Sequence, residues 1–344
     1  MRVTRQVRAL MTPTDPADPE VDRERAERDL QHILGLPRTA ARRHLPRARL
    51  QRRALILSPL LAGAVLATAA VVVADGPDAR PAPLVALDTG TAADAVRLLD
   101  RISYAAASKP TPAVRDDQYV YIESRVAFME ARGGADGSAT PMSWMMQAPH
   151  ARQIWLSADG SRSGLLREKQ HQSLWERFFG DDGEHTLGGN RAPGLNSPTY
   201  RYLESLSADP DALLQKIYAE TRGKGNGADQ EAFITIGDLL RESLMPSELG
   251  AALYRAAGRI PGVVLVPDAV DAAGRHGVAV ARTDPIAGSR TDWIFDKDTL
   301  TFLGERTLQV NEIGGPIPGT LLGTTAVLAR TVVDHPGDTP DSRS

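Results

Sequence analysis

Cysteine is absent from the 344 residues, and lysine is nearly so, with five; aromatic residues make up 5%. No cysteine means no disulfide framework, no thiol nucleophile, no cysteine-ligated zinc and no lipoprotein anchor. With the scarcity of lysine, positive charge rests almost wholly on arginine, and no stripe of interleaved basic and aromatic residues marks a nucleic-acid surface. Catalytic and phosphate-binding motifs are missing too. Gly160-Ser161-Arg162-Ser163-Gly164 places Arg162 where a nucleophile elbow needs serine. Gly223, Gly225 and Gly227 follow a helical pattern and lack the dinucleotide spacing. His150, His171, His185, His276 and His335 are scattered. Asp181, Asp182 and Glu184 lack calcium-loop spacing and read as a solvated acidic loop. No enzyme, cofactor or metal is indicated.

What is present begins with residues 54–74, an uncharged apolar run from Ala54 to Ala74. At the helical rise its length is about 30 Å, the thickness of a bilayer's hydrocarbon core. Seven arginines and no acid lie between Arg38 and Arg53, whereas Asp75 and Asp78 follow the run. Positive flanks stay in the cytoplasm. The expectation is a single-pass protein of the cell membrane, with residues 1–53 cytoplasmic, 54–74 transmembrane, 75–90 a linker, 91–335 an extracytoplasmic domain and 336–344 a disordered tail. A cleaved signal peptide ending at Ala74 competes with this reading. The long leading segment and the length of the run favour an uncut anchor.

In the tail, Ala26, Leu30, Ile33 and Leu34 share one face of a helix over 20–36, ended by Gly35 and Pro37. One amphipathic helix has no core of its own. Leu30, Ile33 and Leu34 are therefore candidate partner-binding residues, with a functionless juxtamembrane helix as the plainer alternative.

Beyond the linker, Thr91-Ala92-Ala93-Asp94 has the form of a capping box opening a helix to about Ala107. Alternation predicts strands over 117–130, 140–148 and 151–157, with Asp159-Gly160 as a turn. Residues 176–199 read as loop. Asp209 and Pro210 open a second helix, a third follows around Phe233–Leu240, and a fourth over Leu249–Ile260 ends at Pro261-Gly262. Strands then return over 263–266, 277–283, 291–296, 300–310 and about 321–333. Strands, helices, then strands at short spacing predict an α+β fold with a curved antiparallel sheet and helices packed on one face. Tyr119, Tyr121, Trp144, Trp155, Trp293 and Phe295 fall on its strands. Core packing is their ordinary role. Lining an apolar cavity in the curved sheet is the functional alternative.

Several stretches together resemble an actinobacterial family of single-pass membrane proteins of unknown function, often found with extracytoplasmic-function sigma factors. They are Asp117–Tyr121, Ile154–Ser161, Asp209–Leu214, Ile236–Leu240, Ala252–Ala257, Trp293–Lys297 and Leu303–Glu305. The resemblance covers about residues 90–333 and the tail-and-anchor layout, which is similar to that of anti-sigma factors with an outer sensor domain. The chain departs from the zinc-binding kind, whose motif needs cysteine. The resemblance implies no catalytic residues. The amphipathic helix and the one-pass layout motivate the expectation of an envelope sensor or regulator whose tail engages a cytoplasmic partner, a sigma factor among the candidates, and whose outer domain meets an envelope lipid or protein. The alternative is an anchored outer module that binds a lipid or other apolar ligand without signalling, in a sheet resembling that of periplasmic lipoprotein carriers.

Overall fold

The computed structural model describes residues 80–132, 143–168, 183–189, 192–312 and 315–340. The helix predicted over 20–36 with Leu30, Ile33 and Leu34, and the apolar run 54–74, lie outside the described residues. No helix among the described residues is long and apolar enough to cross a membrane.

The strands are β1 (Arg80–Pro81), β2 (Tyr119–Arg132), β3 (Ser143–Met146), β4 (His150–Ser157), β5 (Gly164–Glu168), β6 (Glu184–Leu187), β7 (Val263–Val270), β8 (His276–Asp284), β9 (Ser289–Phe295), β10 (Phe302–Gln309) and β11 (Leu321–Val333). The helices are α1 (Ala92–Ala107), α2 (Tyr200–Glu204), α3 (Pro210–Glu220), α4 (Ala228–Glu242) and α5 (Ser247–Ala257). All the strands join one sheet, in the order β6-β5-β4-β2-β11-β10-β9-β8-β7, with β1 and β3 attached beside β2. Every pairing is antiparallel. The last five strands form a meander, and β2, from before the helices, returns to pair with β11. This is the α+β antiparallel sheet with helices that the sequence predicts.

Strand alternation assigns the two faces. One face presents Val280, Trp293, Phe295 and Phe302, which share a core with Leu99, Leu213, Phe233, Leu239 and Leu253 of the helices. The other presents Ala279, Ala281, Ile294 and Leu303 at one side of the sheet and Tyr119, Tyr121 and Trp155 at the other. Local chemistry starts the helices where expected. The Asp94 amide donates to Thr91 Oγ1 at 3.1 Å while the Thr91 amide donates to Asp94 Oδ2 at 3.3 Å, the reciprocal capping box. Asp209 Oδ1 accepts from the Ala212 amide at 2.8 Å, with Pro210 at the first helical position.

Three segments depart from expectation. Residues 80–90 are no free linker; they form a strap sewn to the sheet by backbone bonds. The Ala82 amide donates to the Trp144 carbonyl (3.3 Å), Leu321 to Pro83 (2.9 Å), Val85 to Gly319 (2.7 Å) and Gly90 to Leu265 (2.8 Å). Gly319 has φ +87°, and a Cβ there would stand 2.9 Å from the Val85 carbonyl oxygen, so the strap's approach requires glycine. Second, β7 runs on past Val266 to Val270. A register shift between Val266 and Ala269 takes Pro267, which has no N–H, out of the ladder. Third, the C-terminal residues up to 340 are docked in part: Trp155 Nε1–H donates to the Asp338 carbonyl at 2.7 Å. β5 and β6 are additional strands, β6 within a stretch read as loop.

Candidate functional site

The most concentrated chemistry among the described residues lies where α4 crosses the sheet. Asp238, Arg241 and Glu242 stand three and four residues apart on α4, and so project from one face of it. They meet His150 and Arg152 of β4, Glu168 of β5 and Glu305 of β10. Arg241 Nη2 donates to Asp238 Oδ1 at 2.6 Å and Nη1 to Glu305 Oε1 at 3.1 Å. Arg152 Nη1 donates to Glu242 Oε1 at 2.8 Å and its Nε to Glu168 Oε2 at 3.0 Å. His150 Nε2 lies 3.0 Å from Glu168 Oε1. These side chains are between 11% and 20% exposed, so the seam lies at the water boundary and is neither sealed nor free.

Electrostatics pulls the members apart. Burial pushes the Asp238 carboxyl up to about 7, against the opposing pull of Arg241. Burial also raises Glu305. Glu242 is lowered: burial acts to raise it, but Arg152 and Arg241 outweigh that. Burial opposes the charge on Arg241, yet Asp238, Glu305 and Glu242 hold it more firmly protonated than an ordinary arginine. The arrangement can therefore bind and release a proton near neutrality without losing its central guanidinium.

Close packing surrounds the seam. Trp293 stacks on Phe233 with ring centroids 3.8 Å apart and planes within 5°. α4, which carries Phe233, lies this close to Trp293 only because residue 237 is glycine: an added Cβ would lie 2.6 Å from Trp293 Nε1 and 2.9 Å from Glu305 Oε2. Arg330 Nη2 donates to the Leu240 carbonyl at 2.6 Å, placing a cation at the helix C-terminus. Trp293 Nε1, Arg330 Nε and Ser243 Oγ have no protein hydrogen-bond partner. Three separate stretches of the chain thus converge here, through Gly237 and Asp238, Trp293, and Glu305.

The aromatic candidates do not form one wall. Tyr119, Tyr121 and Trp155 stand together on the face away from the helices, with Tyr121 and Trp155 centroids 5.1 Å apart and the Arg167 guanidinium 5.1 Å from the Trp155 ring. Trp293 and Phe295 belong to the helix-side core. Trp144 is half-buried on β3. Four of the six (Tyr121, Trp155, Trp293 and Phe295) are 0% exposed, which accounts for them as packing. The charged seam escaped the sequence reading because its members are up to 155 residues apart in number, from His150 to Glu305. The spacing of Asp238, Arg241 and Glu242 alone reads as a solvated helix face. Among the described residues, no group of three or more His, Cys, Asp or Glu is placed to hold a metal ion.

Asp238 gives the seam a measurable signature. Its folded pKa stands above the ordinary value of 3.8, so the folded chain holds this proton more tightly than the unfolded chain does. Stability from this group is complete below about pH 4 and falls as pH rises to about 7, by at most about 1.4 kcal/mol per pH unit. Glu242, being lowered, works in the opposite sense and loses its contribution as pH falls through its depressed value. Asp238→Asn should flatten the pH 4 to 7 part of a urea-unfolding series; an unchanged slope would remove Asp238 as its source.

No family model matches the chain, and no curated protein matches it. Among solved structures, the crystal structure of a LolA superfamily protein from Nitrosomonas europaea is similar at 10% identity, covering 74% of this chain and 96% of that one, with a TM-score of 0.18. A likeness that slight bears on neither fold nor site.

Proposed function

We propose that this chain is a single-pass envelope sensor or regulator. Residues 54–74 anchor it, the sheet domain stands outside the membrane, and the helix over 20–36 engages a cytoplasmic regulator, a sigma factor being the candidate. The strap carries this reading. From Ala74 to Arg80 the chain can reach at most about 20 Å. From residue 82 on it is tied to β3, β11 and β7 in turn, and Arg290 Nη1 donates to the Leu87 carbonyl at 3.0 Å. A domain that is merely tethered needs no such attachment. A domain whose state must reach its anchor does, because a strap bound along its length delivers a shift of the sheet to the span with little slack. The resemblance of the expected layout to that of sigma-factor-associated membrane proteins supports the same reading. An apolar-ligand carrier would want its aromatic rings on one wall, and they are divided between two faces.

The test is crosslinking capture in the native host with the full chain, beside the Leu30→Asp/Ile33→Asp/Leu34→Asp version. A regulator captured by the wild type and lost from the variant is the expected result. A long Gly-Ser insertion after Gly76 should leave capture intact and abolish the transcriptional response to envelope stress. An empty capture from both versions would reduce the tail to an anchor, and equal capture of one regulator would remove Leu30, Ile33 and Leu34 as its contact.

A further inference from the structure

Six large hydrophobic side chains are exposed among the described residues, four of them by more than 60%; of these four, Tyr104 lies on α1, and Leu84, Ile286 and Ile317 lie at one end of the sheet. The register places them there. Ile286 is in the β8–β9 turn, closed by the pair Asp284 and Ser289. Ser289 pairs with Gln309 at the end of β10, and Leu308 pairs with Leu321 at the start of β11, so the loop carrying Ile317 is at that same end. Leu84 bridges to Thr320 of that loop. Arg80 pairs with Met146, which pairs with Met129, one residue beyond the Phe128–Gly323 pair, so the chain also enters the domain here.

Turn tips ordinarily carry Gly, Asn, Asp or Ser. The β8–β9 turn and the β10–β11 loop carry Ile286 and Ile317 instead, the strap carries Leu84 at its bridge to Thr320, and each has a proline beside it: Pro83 before Leu84, Pro285 before Ile286, Pro316 and Pro318 around Ile317. Proline fixes φ and lowers the entropy lost when such a tip is held against a surface. The Ile286 turn is further pinned by Asp284 Oδ1, which accepts from the Ile286 and Ala287 amides at 2.9 and 3.0 Å. Asp284 Oδ2 in turn accepts from Asn226 Nδ2 at 2.8 Å. Three apolar, water-exposed side chains beside prolines at one end of the sheet give that end the character of an interfacial contact surface.

We propose that this end of the sheet rests on the outer leaflet of the bilayer, with Leu84, Ile286 and Ile317 entering the boundary between headgroups and acyl chains. The inference rests on the reading of residues 54–74 as an uncut anchor. Chain length selects the bilayer as the occupant: with at most about 20 Å between Ala74 and Arg80, the end of the domain bearing Arg80 is held within that distance of the membrane. Leu84 follows four residues later. Apolar side chains at such a boundary gain burial without leaving the domain. Glu312, exposed on the Ile317 loop, then faces the headgroup layer. The outer domain would thereby be fixed in orientation, and its strap would lie close to the span it serves.

The absence of cysteine allows a direct test on the full chain. Single substitutions Leu84→Cys, Ile286→Cys and Ile317→Cys, each carrying a nitroxide, are placed in nanodiscs of phosphatidylethanolamine and phosphatidylglycerol. Tyr104→Cys is the control: it is 77% exposed on α1, and Lys109 just beyond that helix reaches Thr301 at the opposite end of the sheet. Collision with oxygen, which concentrates in lipid, should exceed collision with a water-soluble nickel chelate at the three tips, and the order should reverse at 104. Tips as accessible to nickel as residue 104 would overturn the proposal, and so would tips shielded from both reagents, which would mean protein covers them. Alkaline carbonate extraction separates the two failures. If the wild-type chain is released from native membranes, the anchor reading falls and this inference with it; if it is retained while the tips stay in water, only this inference falls.

Discussion

Asp292→Ala should cost on the order of 3–5 kcal/mol of folding stability, although the side chain removed is small and lies on the face of the sheet opposite the charged seam. Asp292 is fully buried on the sheet face away from the helices, between two arginines that are 2% and 4% exposed. Arg290 grips it with two bonds, Nε to Oδ1 at 2.7 Å and Nη2 to Oδ2 at 3.0 Å. Arg306 Nε donates to Oδ2 at 2.8 Å. Alternation explains the meeting: residues 290 and 292 share a face of β9, and Arg306 is the direct partner of Asp292 on β10. Removing the carboxylate strands two guanidinium groups where water cannot reach them, and that desolvation, more than the lost attraction, sets the size of the effect. The contrast that makes the argument testable is Arg290→Met/Asp292→Leu/Arg306→Met, which removes all three charges and should cost far less than Asp292→Ala alone. Urea unfolding of the three proteins decides it, and a triple variant as unstable as the single one would show that the bonds themselves are what matters. Arg290 also holds the strap through the Leu87 carbonyl. Asp292→Ala should therefore loosen residues 80–90 first, visible as faster amide exchange at Val85 and Gly90.

How far the fold was legible depends on where each element's cause lies. α1 was readable because its cause is local: Thr91 and Asp94 cap one another, and Ala95, Leu98, Leu99 and Ile102 repeat at helical spacing and are all buried. The meander from β7 to β11 was readable for a similar reason, short alternating strands with close turns. The strap was not. Its Pro, Gly, Ala and Asp composition is that of a linker, and its partners, from Trp144 to Leu321, are remote in sequence, so no local period reveals them. β6 was missed because Glu184-His185-Thr186-Leu187 is a polar edge strand with too little alternation to notice. The aromatic candidates show a different limit. Spacing by two says that Trp293 and Phe295 share a face, and that Tyr119 and Tyr121 share one, but only the pairing of strands tells that the two faces differ. The charged seam is the extreme case: its residues look like ordinary surface charge until α4 is laid on the sheet at Gly237.

Trp293→Ala should be nearly as costly as Asp292→Ala, about 3–5 kcal/mol, for the opposite physical reason. The indole is 0% exposed, lies flat on Phe233, and fills the space between α4 and the middle of the sheet. Deleting it leaves a cavity whose walls, a helix on one side and a paired strand on the other, cannot both collapse inward. Gly237 makes the cause separable from the effect. In the wild-type background Gly237→Ala should destabilise by about 1–3 kcal/mol, since the new methyl meets Trp293 Nε1 at 2.6 Å and either the ring or α4 must move. In the Trp293→Ala background the same change meets no ring. There it should become neutral or favourable by up to about 1 kcal/mol, the ordinary preference for alanine over glycine within a helix. The sign of Gly237→Ala would thus reverse with the residue at 293, a coupling that denaturant unfolding of the four proteins reads directly. If Gly237→Ala destabilises equally in both backgrounds, glycine is needed for some contact other than Trp293. Glu305 Oε2, at 2.9 Å from the same added carbon, is then the atom to examine, and the charged seam rather than the tryptophan would be what fixes the depth at which α4 lies on the sheet.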